Sequence, residues 1–297
     1  MREPPVIRRL PDRRRLHLSD GPIDLIVEAS GAPQAVQCAY QAAARRFVTI
    51  LDELCAELPL LRARASAASP WPGGSIARVM AAAVAPYGRR CFITPMAAVA
   101  GAVAEAVLAA MNGAAALDRA YVNNGGDIAL HLADGQFYTV GMVERPDRPS
   151  LFGSFEICAA APIRGVATSG WRGRSFSLGI ADAVTALAET ASKADAAATI
   201  VANAVDLPGH AAIVRVPASE IAPDSDLGDL PVTRGVGDLT QQEITQALET
   251  GEEVATQLQR RGLICGAALS LQGNARVVSP VTPRFTLHNA PRSLLHA

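Results

Sequence analysis

Tyr121-Val-Asn-Asn-Gly-Gly-Asp-Ile-Ala-Leu130 sets two asparagines, two glycines and an aspartate between two apolar runs, and how that interruption is read decides the fold. Arg119–Val122 and Ile128–Leu132 carry the alternation of strands, and Phe137–Val143 follows across Ala133-Asp134-Gly135, a hairpin signal. Paired glycines tolerate positive φ and let other atoms approach the backbone closely. Asn123, Asn124, Gly125, Gly126 and Asp127 are therefore either a plain strand-connecting turn or a nest whose N–H groups take a phosphate or another anion. The stretch lacks the strand–GxGxxG–helix setting of a dinucleotide fold, and no Walker sequence occurs in the chain.

Upstream, Val6–Leu10, Arg14–Leu18 and Ile23–Val27 are separated by Pro11-Asp12-Arg13 and Ser19-Asp20-Gly21-Pro22. This is the punctuation of a strand meander, with its arginines on a solvated sheet edge. Ala32 to Leu58 has helical periodicity, placing Val36, Tyr40, Ala43, Phe47, Ile50, Leu51, Leu54 and Leu58 on one face. Ser66–Gly74 reads as a loop and Ile76–Val84 as a helix, after which Thr94 caps an alanine-rich helix with Pro95 at its first position. Downstream, strands are expected at Phe155–Ala159, Gly165–Thr168, Ala183–Leu187, Ala211–Val216 and, last, Leu263–Leu271. Helices are expected at Lys193–Val205 and Leu239–Arg260, with the acidic Glu220–Asp238 stretch as a linker. Such an order predicts an α+β architecture rather than an alternating parallel sheet. One domain is expected over residues 1–280, with room for two subdomains dividing near 112–120, ahead of a loosely ordered tail at 281–297.

The 297 residues are 49% apolar and 19% charged, with a net charge of −1, and they include 57 alanines. That balance excludes a disordered or fibrous chain and argues against nucleic-acid binding as its main work. Phe92–Met111 is long enough to span a bilayer, but its alanines and the central Glu105 mark it as a buried core helix. Arginines at the N-terminus are followed by no apolar core of a signal peptide or lipoprotein leader. A cytoplasmic protein with no membrane association is expected. Cys38, Cys55, Cys91, Cys158 and Cys265 form no CxxC pair and are expected as small buried hydrophobes. The five histidines form no metal-binding pattern.

Two further segments carry chemistry. In Gly165-Val-Ala-Thr-Ser-Gly-Trp-Arg172, a strand runs into Thr168, Ser169 and Gly170, then Trp171 and Arg172. Small hydroxyls beside a guanidinium suit a phosphate or carboxylate, and the indole suits a planar ligand; the alternative is a surface loop with a packing tryptophan. On the helix from Ser192, residues Asp195, Thr199, Asn203 and Asp206 share one face among Ala, Ile and Val. Short polar arms in that setting suit a partly buried site, and the oxygens of Asp195 and Thr199 suit a hard cation such as Mg²⁺. Against this, Ser192-x-x-Asp195 resembles a capping box with Asp195 at the third helical position.

Asn124-Gly-Gly-Asp127, Ala167-Thr-Ser-Gly170 and Ala194-Asp-Ala-Ala-Ala-Thr199 occur in the order of the ApbE family of flavin transferases, and the chain resembles a soluble, uncharacterised branch of it from about Arg8 to Leu271. The resemblance implies a T-fold-like core of antiparallel sheets packed against helices. It also implies an FAD-binding cleft and Mg²⁺-assisted transfer of FMN onto a protein Thr or Ser. Asp195 and Thr199 become candidate metal ligands, and Asn124, Gly125, Gly126, Asp127, Thr168, Ser169, Gly170 and Arg172 candidate cofactor-binding residues. The chain departs from that pattern in having no histidine between His131 and His210, and Val99-Ala100 where the family carries a lysine before Gly101.

A cytoplasmic protein holding a phosphate- or carboxylate-bearing small ligand, with FAD and Mg²⁺ as implied cofactors, is the expectation. Its enzymatic form is a Mg²⁺-dependent transferase. The alternatives are a non-catalytic ligand-binding or assembly protein on the same scaffold, and a true FMN transferase with substituted catalytic residues. A protein substrate and a homo-oligomer are compatible partners.

Overall fold

Strands β1 (Val6–Arg9), β2 (Leu16–Asp20) and β3 (Ile23–Ser30) lead into helices α1 (Pro33–Ala56), α2 (Leu58–Leu61) and α3 (Ser75–Val84). A 3₁₀ turn, Pro95–Ala98, precedes α4 (Val99–Ala114). Strands β4 (Arg119–Asn124), β5 (Asp127–Leu132), β6 (Phe137–Val143), β7 (Leu151–Cys158), β8 (Gly165–Ser169) and β9 (Ala183–Ala188) follow. The chain continues through α5 (Ala191–Ala204), β10 (Ile213–Pro217), α6 (Ala218–Ile221), β11 (Pro231–Val236) and α7 (Gln241–Arg260) to β12 (Gly266–Leu271), β13 (Asn274–Val278) and β14 (Phe285–Leu287). This computed structural model describes residues 3–143, 151–278 and 285–287. Antiparallel sheets packed against helices make the α+β class plain.

The chain divides into two compact units. The first takes in Met1–Phe137, Pro162–Ala167 and Ala188–Ala196, and the second Tyr138–Ala161, Thr168–Leu187 and Ala197–Ala297. In the first unit, β1 to β5 form consecutive antiparallel pairs, and β8 joins β5 through Ile128 opposite Val166. Alternation on β2 and β3 turns Leu16, Leu18, Ile23, Leu25 and Val27 into the core. Helices α1 and α4 pack together and cover that sheet. The α1 face predicted from periodicity is the buried one, with Phe47 and Ile50 fully inaccessible. Burying each such side chain contributes about 2–3 kcal/mol.

Pro95–Ala114 is long and apolar enough by composition to cross a membrane. Here Val103, Val107 and Met111 of α4 are buried, and the helix lies against α1, β4 and β5. Thr94 does cap, accepting from Met96 N–H at 3.2 Å, but what it caps is the 3₁₀ turn, and α4 begins afresh at Val99.

In the second unit, β12 is flanked by β9 and β13 in an antiparallel sheet against which α7 packs. β10 pairs with β11, and β6, β7 and β14 form a third sheet. Several expectations are corrected. The supposed linker Glu220–Asp238 contains β11, and two strands follow the one expected to be last. The Ala133-Asp134-Gly135 turn forms, yet β6 pairs with β7. None of the five cysteines is buried, and Cys38, Cys55 and Cys158 are exposed. Of the tail expected to be loose, Phe285–Leu287 pairs with β7, and 281–284 and 288–297 lie outside the described residues.

Candidate functional site

The glycine pair is first of all a turn. Asn124 sits opposite Asp127 across the β4–β5 ladder, leaving a two-residue loop. Gly125 at φ 66° and Gly126 at φ 114° adopt left-handed conformations that residues with a Cβ enter only with strain. The Gly126 N–H donates to Asn123 Oδ1 at 2.8 Å, so this member of the supposed anion nest is committed to the turn. Chemistry is left to the flanking residues. Asn124, 9% exposed, donates its amide to the Ala100 carbonyl at 3.2 Å, which ties the hairpin to the start of α4.

That helix start is unusual. Ala98, the N-cap of α4, supplies no capping side chain. Asp195 Oδ2 instead accepts from the Gly101 N–H at 3.0 Å, so a carboxylate from α5 caps α4. The approach requires glycine, because a Cβ at Gly101 would lie 2.4 Å from both the carbonyl carbon and the oxygen of Ala191.

The relation is reciprocal. Glu105 of α4 accepts from the Ser192 N–H in the first turn of α5 at 2.6 Å. The cap of α5 itself is Thr190, whose hydroxyl accepts from Lys193 N–H at 3.3 Å. Asp195 is therefore the fifth helical residue, and the capping-box expectation for it is wrong. Glu105, read from the sequence only as a mark against a membrane span, has a defined partner.

Burial pushes the Asp195 carboxyl well above its ordinary value, and the neighbouring carboxylates of Asp127 and Glu105 push the same way. The Gly101 and Ala100 N–H groups oppose the rise without cancelling it. Asn124, Asp127 and Asp195, from the first and third predicted segments, thus come together at one helix N-terminus. Gly101 and Glu105 complete the arrangement.

Thr168, Ser169, Gly170, Arg172 and Thr199 belong to the second unit. There the organising residue is Asp182, 6% exposed, which no sequence pattern marked. Its Oδ1 accepts from Trp171 Nε1 at 3.1 Å and Arg172 Nε at 2.6 Å, and its Oδ2 from Gln272 N–H at 2.6 Å. The Arg172 guanidinium stacks 4.3 Å from the Trp171 ring centroid. Both side chains proposed for ligand recognition are therefore engaged inside the protein.

Thr168 is exposed, with its hydroxyl 2.9 Å from that of Thr185, and Ser169 is half-buried. Gly170 sits against the Asp182 carbonyl, with no room for a Cβ. On α5 and just beyond it, Asn203 accepts from Leu178 N–H at 2.9 Å and Asp206 pairs with Arg215, so both are engaged within the second unit. Among the described residues, no group of three or more His, Cys, Asp or Glu is placed to hold a metal ion.

Residues 7–277 match the profile of a family described as AbpE bacteria. A UPF0280 protein of Methanopyrus kandleri is 44% identical over 131 residues, covering 43% of this chain and 48% of the relative. A second UPF0280 protein, from Methanothermobacter thermautotrophicus, is 38% identical over 137 residues, covering 46% and 50%. The chain spans about half the length of these curated relatives.

Proposed function

We propose that this chain, which belongs to the AbpE bacteria family, binds a phosphate- or carboxylate-bearing small ligand together with a divalent cation, as ApbE flavin transferases do, with FAD the ligand to test first. The observation that supports it is the meeting of Asp127 and Asp195 at the N-terminus of α4. The groups acting most strongly on Asp195 there are backbone N–H donors and other carboxylates, none of them a cation. Carboxylates held close to one another repel, and a hard dication relieves that repulsion. Mg²⁺ is commonly held by one or two carboxylates, with water and substrate phosphate completing its shell, so this all-oxygen pair fits it.

Asp127 and Asp195 would hold the cation, whose chemistry there would be neutralisation of diphosphate charge and assistance to a leaving phosphoryl group. The chain's own residues set the geometry. Gly101 N–H fixes the Asp195 carboxylate, Asn124 anchors the hairpin on Ala100, and Glu105 holds the first turn of α5 in place. The catalytic form of the proposal is a Mg²⁺-dependent transferase acting in the cytoplasm on a protein hydroxyl. The missing histidine between His131 and His210 favours a second form, in which the ligand is held without transfer.

Thermal melting with FAD and Mg²⁺ tests the shared premise. Stabilisation that needs both supports it, and no shift with either abandons the flavin version. Intact mass after co-expression with a partner then separates the two forms, since FMN attached to a Thr or Ser of the partner requires transfer.

A further inference from the structure

A cavity of about 160 Å³ opens in the first unit away from the carboxylate pair, lined by Leu61, Ala65, Pro70, Trp71, Val84 and Arg89 among others. Its size suits one ring, since an apolar cavity of about 150 Å³ accommodates benzene. Among the described residues that line it, Arg89 is the one charged side chain, and no carboxylate is present. Trp71 stands over it at 64% exposure, although aromatic side chains of this size are ordinarily buried.

That exposure does not come from a slack loop. Glu57 accepts from the Gly73 and Gly74 N–H groups, each at 2.6 Å, and Arg78 Nε donates to the Pro72 carbonyl at 2.9 Å. Ser66 N–H donates to Ser69 Oγ at 3.0 Å, and Ala65 N–H to the Ile93 carbonyl at 2.8 Å. Pro70 and Pro72 restrict the backbone on either side of the indole. A loop pinned at both ends presents an indole to solvent, beside a ring-sized apolar hollow with one guanidinium. Such a hollow with one charged residue in its lining has the build of a small-molecule site.

We infer that this cavity binds a small aromatic monoanion, its ring packed against Trp71, Pro70 and Ala85 and its carboxylate or similar group paired with Arg89. The probe is para-fluorobenzoate, followed by fluorine NMR on the full chain. A saturable shift is expected. Trp71→Ala and Arg89→Ala each weaken it by about tenfold, the scale of losing a charged hydrogen bond or its equivalent in packing. Both side chains are exposed, so unchanged melting accompanies the loss; should Trp71→Ala melt early, Arg89→Ala alone decides.

Para-fluorobenzyl alcohol, which has the ring without the charge, is expected to bind about tenfold more weakly. Asp195→Asn is expected to leave the affinity for para-fluorobenzoate unchanged, which separates this cavity from the proposed cation site. No saturable shift, or equal affinity in wild type and Arg89→Ala, overturns the inference. So does equal binding of the alcohol, or a loss caused by Asp195→Asn.

Discussion

Asp182, covered, and Asp195, half-buried, are carboxylates set among small residues, and the protein treats them in opposite ways. Asp182 receives an indole N–H, a guanidinium and a backbone N–H, so its charge is matched and its oxygens are occupied. Asp195 receives backbone N–H groups and faces Asp127 and Glu105, so its charge is opposed. A matched buried carboxylate is what a structural hub looks like, whereas an opposed one is strained in the ionised form. The difference teaches that burial alone does not mark a site. What marks it is a carboxylate set beside other carboxylates.

The contrast can be broken by mutation, most severely at the hub. Asp182→Ala removes three acceptor contacts and strands Arg172, and is expected to cost about 3 kcal/mol in urea unfolding; a loss below 1 kcal/mol would deny Asp182 its structural role. At the opposed carboxylate the backbone approach matters more than the charge. Gly101→Ala drives a Cβ into Ala191 and is expected to cost about 2 kcal/mol, close to the penalty for overpacking. Wild-type stability in that variant would mean that α4 and α5 do not meet as described. Glu105→Ala removes the acceptor for Ser192 N–H and is expected to cost about 1 kcal/mol, typical of a lost helix cap.

The mildest change sharpens the contrast through pH. Because the Asp195 carboxyl is raised in the folded chain, that chain binds more protons than the unfolded one between the ordinary value of 3.8 and the raised value. Stability from this group is therefore greatest at or below the ordinary value and is lost as pH rises through the raised one. In chelator-treated protein, the advantage of wild type over Asp195→Asn should shrink as pH rises. An advantage that grows with pH would show that Asp195 is stabilised as an ion.

Much of this architecture was legible in the sequence because it is local. Alternation marked β2 and β3, 3.6-residue periodicity marked α1, and the glycine pair marked the β4–β5 turn. β11 escaped because Pro231 and Gly235 break its pattern, so a paired strand resembled a linker. The cysteines were expected inside on residue type alone, and α1 turns Cys38 and Cys55 outward.

The candidate site was legible in part for the same reason. Asn124, Asp127 and Asp195 lie in recognisable segments, but the partner that explains Asp195 is 94 residues away at Gly101, and a cap supplied by another helix leaves no local trace. Asp182 escaped entirely, since its partners lie 10 and 90 residues off and its apolar neighbours look like any strand entrance.

Asp127 and Asp195 are together proposed to take a divalent cation. Mn²⁺ replaces Mg²⁺ at oxygen sites and is read directly by electron paramagnetic resonance in chelator-stripped protein. Saturable binding that disappears in Asp195→Asn and in Asp127→Asn, while both variants remain folded with a cooperative melting transition, is the predicted result. Mn²⁺ binding undiminished by either substitution, or no binding by the wild type with or without FAD, would contradict it.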